Sequence, residues 1–416
     1  MYIPRQISSK IQSIKDGRNG RIMVFTGARQ VGKTTLSRNL MKDYVYISIE
    51  DPVMRSQFAM LTASQWEKLY PKALLDEVQK APQLIESIKS VYDQYDEPRY
   101  VLLGSSQLLL LQKVRESLAG RCSIFSIYPF DIPELLYIHT NRLVDSVWQI
   151  ILQNPTRKPD LLPSFMLDPL MPQKVMAWNH YLKFGGYPAI VAPDMTDDDR
   201  YLWLDNYTRT YLERDVRDLA SFRDLEPFVK LQYALAVQTG NLVNASALGN
   251  SIGVSSKTVS RYLEYLNMSF QTLSLQSWER NAGKRLVKAP KIHYLDNGVL
   301  QTVLHKRGGI TGAEFESLIV AEIYKQVMAL AVRANFYHLR TSDGREIDLL
   351  VELPEGYFAF EMKMAARVTK NDARHLLTLP DMLDKPLIAG FVLSNDPQTQ
   401  FFSDNVVGVN VNMFLS

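Results

Sequence analysis

Over the first 130 positions, short runs of nearly unbroken apolar residues alternate with helix-period segments. RIMVFT (21–26), YVYISI (44–49), KALLDE (72–77), YVLLGS (100–105) and CSIFSI (122–127) read as strands. Continuous apolar character marks strands covered on both faces, as in a parallel sheet. Helical segments such as 83–95 supply the crossovers that parallel pairing requires. Residues 140–175 differ: Pro155, Pro159, Pro163, Pro169 and Pro172 among Asn and Asp predict an irregular connection. The pattern over 176–275 is mostly helical, and strands return at NFYHLR, EIDLLVEL, YFAFEMKM, PLIAGFVLS and VVGVNV after position 335. The pattern predicts an α/β multidomain chain. It has a parallel-sheet core over 1–140, a connection over 141–175, a helical region over 176–300 and an α/β domain over 301–416.

Composition narrows the classes further. At 416 residues, 46% hydrophobic and 22% charged, the usage is ordinary for globular domains, which excludes collagen-like and disordered chains. The single cysteine, Cys122, excludes a disulfide framework and suits a reducing, cytoplasmic compartment. The longest apolar stretch, 100–111, is broken by Gly104-Ser105-Ser106-Gln107 and falls short of the ~18 residues of a span, so no membrane partner is expected. The basic N-terminus lacks the apolar stretch of a secretory signal. A net charge of only +3 confines any nucleic-acid surface to a local patch.

The first predicted strand runs into Gly27-Ala28-Arg29-Gln30-Val31-Gly32-Lys33-Thr34-Thr35, a full G-x-x-x-x-G-K-[ST] phosphate loop at a strand-to-helix junction. Its glycines let backbone N–H groups curl around phosphate oxygens, and the following helix adds its positive end. Lys33 is expected at the β/γ-phosphates of ATP and Thr34 on Mg²⁺. Asp76-Glu77 closes an apolar strand, placing Asp76 to hold the metal and Glu77 to orient the attacking water. Ser105, after another strand, would lie beside the γ-phosphate. Arg121 would neutralise developing charge, in cis or across the interface of a homo-oligomer.

The stretch 244–266 predicts a helix, a turn around Gly253 and a second helix capped by Ser255, a helix-turn-helix pattern with Val259, Tyr262, Leu263 and Leu266 packed inward. Lys257, Arg261, Arg280, Lys284, Arg285, Lys288 and Lys291 outnumber Glu264 and Glu279 there, suggesting a winged helix whose basic wing contacts DNA phosphates. The competing use is a structural winged helix for domain or subunit contacts.

Near the C-terminus, Asp343-Gly344 predicts a hairpin, with Ile347, Leu349 and Val351 on one face of its second strand and Asp348 on the other. Asp348 followed by Glu361-x-Lys363 on the next strand is the D…E-x-K arrangement of restriction-enzyme-type nucleases. Asp348, Glu361 and Glu316 from a helix would hold Mg²⁺ or Mn²⁺, and Lys363 would position the attacking water. The alternative is a nuclease-like fold kept for packing or docking. The six histidines show no metal-ligand spacing.

These pieces, together with Tyr2-Ile3-Pro4-Arg5, LLDEVQKAP (74–82), ESLAGR (116–121), YLKFGGYPAIV (181–191), YLERDV (211–216), KAPKIHYLDNGVL (288–300) and GAEFESLIVAEI (312–323), resemble the archaeal and bacterial family of AAA-type ATPases joined to a DUF4143 domain. The resemblance implies an AAA+ core, a winged-helix-bearing middle that carries the DUF4143 name, and a restriction-endonuclease-like C-terminal module. Ser105 and Ser106 stand where an Asn sensor is common in AAA+ proteins. Two functions follow as expectations: an ATP-hydrolysing, DNA-directed protein with a nuclease-type module, or an ATP-switched regulator whose nuclease-like fold only docks.

Overall fold

Five parallel strands form the first sheet, in the order β2-β3-β4-β1-β5. They are β1 (Ile22–Thr26), β2 (Val45–Ser48), β3 (Lys72–Asp76), β4 (Arg99–Leu103) and β5 (Ser123–Ser126), each within the apolar run that predicted it except β4, which starts one residue earlier. A computed structural model of the chain describes residues 2–104, 114, 116–155, 162, 165, 167–211, 225–281, 288–341 and 343–416. Ser105, Lys284, Arg285 and most of YLERDV lie outside the described residues.

β1 is buried along its whole length, and alternation sends its side chains to two cores. Met23 and Phe25 join one cluster, while Ile22 and Val24 join another beneath the Gln83–Gln94 helix. That helix buries Leu84, Ile85, Ile88 and Val91, the stripe of a helix laid on a sheet.

The second sheet has eight strands, ordered β12-β13-β11-β10-β9-β8-β6-β7. Its members are β6 (Thr272–Ser277), β7 (Lys291–Tyr294), β8 (Asn335–Arg340), β9 (Glu346–Glu352), β10 (Tyr357–Lys363), β11 (Leu387–Ser394), β12 (Gln400–Ser403) and β13 (Val406–Asn410). β6 pairs in parallel with β8 through Gln276 and Ser277, so the expected boundary at residue 300 crosses a continuous sheet. The strands of the helical region and those of the C-terminal region share one hydrogen-bonded ladder. Chain order alone does not reveal such pairing.

Two further expectations need correction. Residues 141–175 are not only an irregular connection: Ser146 and Gln149 form a capping box that starts the Val147–Gln153 helix. Trp148 of that helix is wholly buried edge-on against Phe358 and Phe360 of β10, a stripe that the neighbouring prolines obscured. In β9, Leu349 and Val351 enter one core while Ile347 packs with Leu350 in the other, because pairing with β8 slips a register between Tyr337 and Leu339.

The predicted pair of helices occupies Ala245–Ile252 and Ser256–Met268, joined through Gly253 at φ 78° and followed by the antiparallel β6–β7 pair. Ser255 accepts from Thr258 N at 3.1 Å, and Val259, Tyr262, Leu263 and Leu266 are buried as expected. The Gly312–Ala329 helix, started by a Thr311/Glu314 capping box, is buried along most of its length and packs on β7 and β10 of the second sheet. One hydrophobic cluster therefore runs from Phe25 through Phe315 to Phe360.

Candidate functional site

The turn after β1 is dictated by crowding and by backbone sign. Gly27 has φ 150°, and a Cβ there would sit 2.1 Å from the Ile127 carbonyl. Gly32, at φ 90°, meets no such obstacle but adopts a backbone that other residues avoid. The loop delivers Lys33 at the first turn of the Lys33–Leu40 helix, where its ammonium donates to the carbonyls of Gly27 (3.0 Å) and Ala28 (2.7 Å). Those carbonyls pre-position the charge over the cradle of N–H groups.

Thr34 Oγ1 donates to Asp76 Oδ2 at 2.7 Å, bringing together the two residues expected at Mg²⁺. Tyr46, opposite on β2, donates to the same oxygen at 2.9 Å. Burial and then the Asp76 carboxylate push the Tyr46 phenol up to about 12, so it remains a donor across the neutral range. Glu77 follows with φ 58°, a sparsely populated conformation for a side-chain-bearing residue. Its carboxylate accepts from Gln79.

Arg121 corrects one expectation. β5 runs parallel to β1, so Arg121 stands at the edge where β1 begins, whereas the phosphate loop follows the far end of β1. Four residues of strand separate those edges by roughly 13 Å, and Arg121 is held away from the loop by Asp93 at 2.8 Å. Arg121 therefore stands away from the phosphate loop of its own chain, paired with Asp93 at the surface.

A cavity of about 190 Å³ opens beside Gly32 and Thr35, closed by Tyr2, Ile3, Phe130 and Pro188. Arg5 fastens its floor: its guanidinium donates to Val31 O (2.9 Å) and Tyr128 O (2.6 Å) and pairs with Glu134 at 2.9 Å. Pro188 comes from the helical region and is set by two contacts. Phe130 N donates to Gly186 O at 2.7 Å, and Gly186 N donates to Asp296 Oδ2 at 2.8 Å.

The C-terminal acids also converge. Asp348 on β9 accepts from Met362 N at 2.8 Å, and Glu361 on β10 pairs with Lys363 at 2.9 Å. Glu316 approaches from the Gly312–Ala329 helix. The cluster differs from the expected metal cage in one respect: Lys291 of β7 lies among the carboxylates, 2.6 Å from Glu316, 3.3 Å from Glu346 and 3.7 Å from Asp348. Among the described residues no three His, Cys, Asp or Glu side chains stand close enough to hold a metal ion. Burial and then the Asp348 charge raise both Glu316 and Glu361 to about 8. Burial alone would lower the Lys291 ammonium, but Glu316, Asp348 and Glu346 reverse this and hold it charged.

Comparison with known proteins agrees with the first site. An AAA domain family model matches residues 19–136, and the model "Domain of unknown function (DUF4143)" matches 311–414. The chain carries an AAA domain and a C-terminal DUF4143 domain. Its helical region, expected to carry the DUF4143 name, instead matches "Domain of unknown function (DUF8612)" over 176–308. "Uncharacterized protein Rv2008c" of Mycobacterium tuberculosis is 28% identical over 354 residues, covering 82% of this chain and 70% of that protein. "Uncharacterized protein MJ1637" of Methanocaldococcus jannaschii is 23% identical over 349 residues, covering 76% and 71%. Among solved structures, the Walker-type ATPase PABY2304 of Pyrococcus abyssi aligns with 73% of this chain and 96% of its own, at 16% identity and a TM-score of 0.45. No described helix of the chain is long and apolar enough to cross a membrane.

The basic residues divide by burial. Lys257 and Arg261 are exposed along the Ser256–Met268 helix, while Lys288 is paired with Glu279. Lys291, counted in the sequence with the basic wing, is only 3% exposed and belongs to the acid cluster. Sequence reasoning also missed Tyr46, Phe130 and Pro188 as site residues. Tyr46 carried a faint signal in its alternation with Val45 and Ile47, whereas Phe130 and Pro188 acquire their roles only through the fold.

Proposed function

We propose that this P-loop ATPase uses ATP binding and hydrolysis to control the orientation of a DNA-directed helical region. The observation that carries the reading is the shared cavity: Pro188 of the helical region closes the same cleft that the phosphate loop opens. A nucleotide there would place its phosphates on the N–H groups of the loop and Lys33, and its base against Tyr2, Ile3 and Pro188. Thr34 and Asp76 offer the hard oxygen donors that suit Mg²⁺, which would offset phosphate charge. Glu77, displaced from its partner Gln79, would orient the attacking water.

Glu77→Gln is expected to bind ATP as the wild type does while losing about 100-fold or more in turnover, the scale of general-base removal. Calorimetric binding combined with phosphate-release kinetics separates the two. Retained turnover would remove Glu77 from the mechanism.

DNA contact is supported by the exposed Lys257 and Arg261, which with Ser260 border a shallow depression on the second of the paired helices. The helix pair followed by β6–β7 has the order of a winged helix. Lys257→Ala with Arg261→Ala should weaken duplex binding for all sequences and flatten the salt dependence by about 1 per lost phosphate contact. Fluorescence anisotropy over a salt series checks this, and an unchanged slope would assign the helix to protein contacts.

The nuclease-type reading of Glu316, Asp348, Glu361 and Lys363 rests on their meeting across a helix and two adjacent strands, with Mg²⁺ or Mn²⁺ as the expected cation. The second reading, a docking domain without cleavage, is favoured by Lys291 among those carboxylates.

A further inference from the structure

We propose that Lys291 is a built-in cation that keeps the C-terminal carboxylate cluster closed to divalent metal and must withdraw before metal can enter. The inference deepens the nuclease-type reading and rests on it. Four carboxylates, Glu316, Glu346, Asp348 and Glu361, face two ammonium groups, Lys291 and Lys363. Lys291 serves three of the acids at once and is itself almost wholly buried. Glu361 is equally buried; its Oε2 pairs with Lys363, while among the described residues its Oε1 accepts no hydrogen bond and has His375 Nδ1 at 3.8 Å.

A buried carboxylate oxygen left without a donor is costly, so the cluster is under-neutralised with the lysines in place. A divalent ion could relieve it, but the space shared by Glu316, Glu346 and Asp348 already holds the Lys291 ammonium, 2.6 Å from Glu316. Two cations cannot share that space without strong repulsion. The residues as they stand therefore do not fit a metal: the acids are too widely spaced to share an ion, and Lys291, supplied by a different region of the chain, stands between three of them.

The fold offers a route for removing it. β7 is a four-residue terminal strand of the sheet, paired with β6 on one side and tied on the other to 240–243, where Gly240 N donates to Ile292 O at 2.7 Å and Ile292 N to Asn241 O at 3.1 Å. Five residues after Lys291, Asp296 holds Gly186 N, two residues before Pro188 at the nucleotide cleft. A change at that cleft that shifts Asp296 would pull on the strand bearing Lys291.

The test is Mn²⁺ binding to the full-length protein without nucleotide, followed by electron paramagnetic resonance and by thermal midpoint. Wild type should show no specific Mn²⁺ site. Lys291→Met should gain one site per chain, tighter by on the order of 100-fold, with a midpoint that rises on adding Mn²⁺. Adding Asp348→Asn to Lys291→Met should abolish both effects. Mn²⁺ binding in wild type as tight as in Lys291→Met, and lost with Asp348→Asn, would overturn the closure and leave the metal-site reading standing. A folded Lys291→Met that binds no Mn²⁺ overturns both. Should Lys291→Met not fold, Lys291→Gln carries the same expectations, and the wild-type titration still decides whether the site is closed.

Discussion

Lys33→Ala should reduce ATP turnover to background, a loss on the order of 10²–10³-fold or more, as when one preorganised donor is taken from a developing phosphate charge. The structure explains why no neighbour substitutes. The Lys33 ammonium is held over the loop by the Gly27 and Ala28 carbonyls, and the next residue, Thr34, is already committed to Asp76. Calorimetry with ATP should show binding weakened in parallel, since the same charge meets the phosphates in the ground state. Wild-type turnover in Lys33→Ala would remove the phosphate-site assignment, and the coupling argued from Pro188 would go with it.

The largest effect on stability is expected from Lys325→Met. Lys325 and Glu322 lie on the Gly312–Ala329 helix and are essentially inaccessible, 3.2 Å apart. The Lys325 ammonium also donates to Phe130 O at 2.8 Å, and Glu322 Oε1 accepts from Ile132 N at 2.7 Å. Removing the cation leaves Glu322 beside Asp131, whose carboxyl burial and then the Glu134 and Glu322 charges already raise well above the usual range. Loss of one partner from a buried pair costs about 3–5 kcal/mol. The sign of the pH dependence follows from the raised carboxyl. The folded state then binds more protons than the unfolded chain above the ordinary Asp range, so stability falls as pH rises through that window. The Lys325→Met deficit should therefore shrink as pH is lowered from neutrality towards 5. Denaturant unfolding at several pH values measures it, and a deficit below about 1 kcal/mol, the scale of an exposed pair, would show the pair to be solvated.

This buried pair has a consequence for function. The helix that carries Lys325 beneath Phe130 also carries Glu316 into the acid cluster, nine residues away. Phe130 lines the cavity beside the phosphate loop. A displacement of Phe130 is thus in direct contact with a buried rod whose other end meets Lys291.

Local signals were enough for the ATPase core. A phosphate loop needs a strand, a glycine turn and a helix in immediate succession, so GARQVGKTT declared the element boundary at Lys33. Asp76 was legible because a β-strand ending in an acid has one end to place it at. The predicted helix pair was equally readable, since Ser255 caps and Val259, Tyr262, Leu263 and Leu266 repeat at helical spacing within one segment. The Val147–Gln153 helix was not, because its prolines lie outside it while its partners Phe358 and Phe360 lie two hundred residues on.

Sequence by itself determined what is local: the five strands of the first sheet, the helix pair around Gly253, the phosphate loop, the Asp76 carboxylate and the E-x-K spacing of β10. Only the tertiary structure decided what depends on contacts between distant segments. It joined β6 to β8, moved Arg121 to the far edge of the sheet, set Pro188 against the loop and buried Lys291 among carboxylates. Backbone propensity and hydrophobic period act over a few residues, whereas the electrostatic role of a lysine is fixed by whichever charges the completed fold brings within a few ångströms.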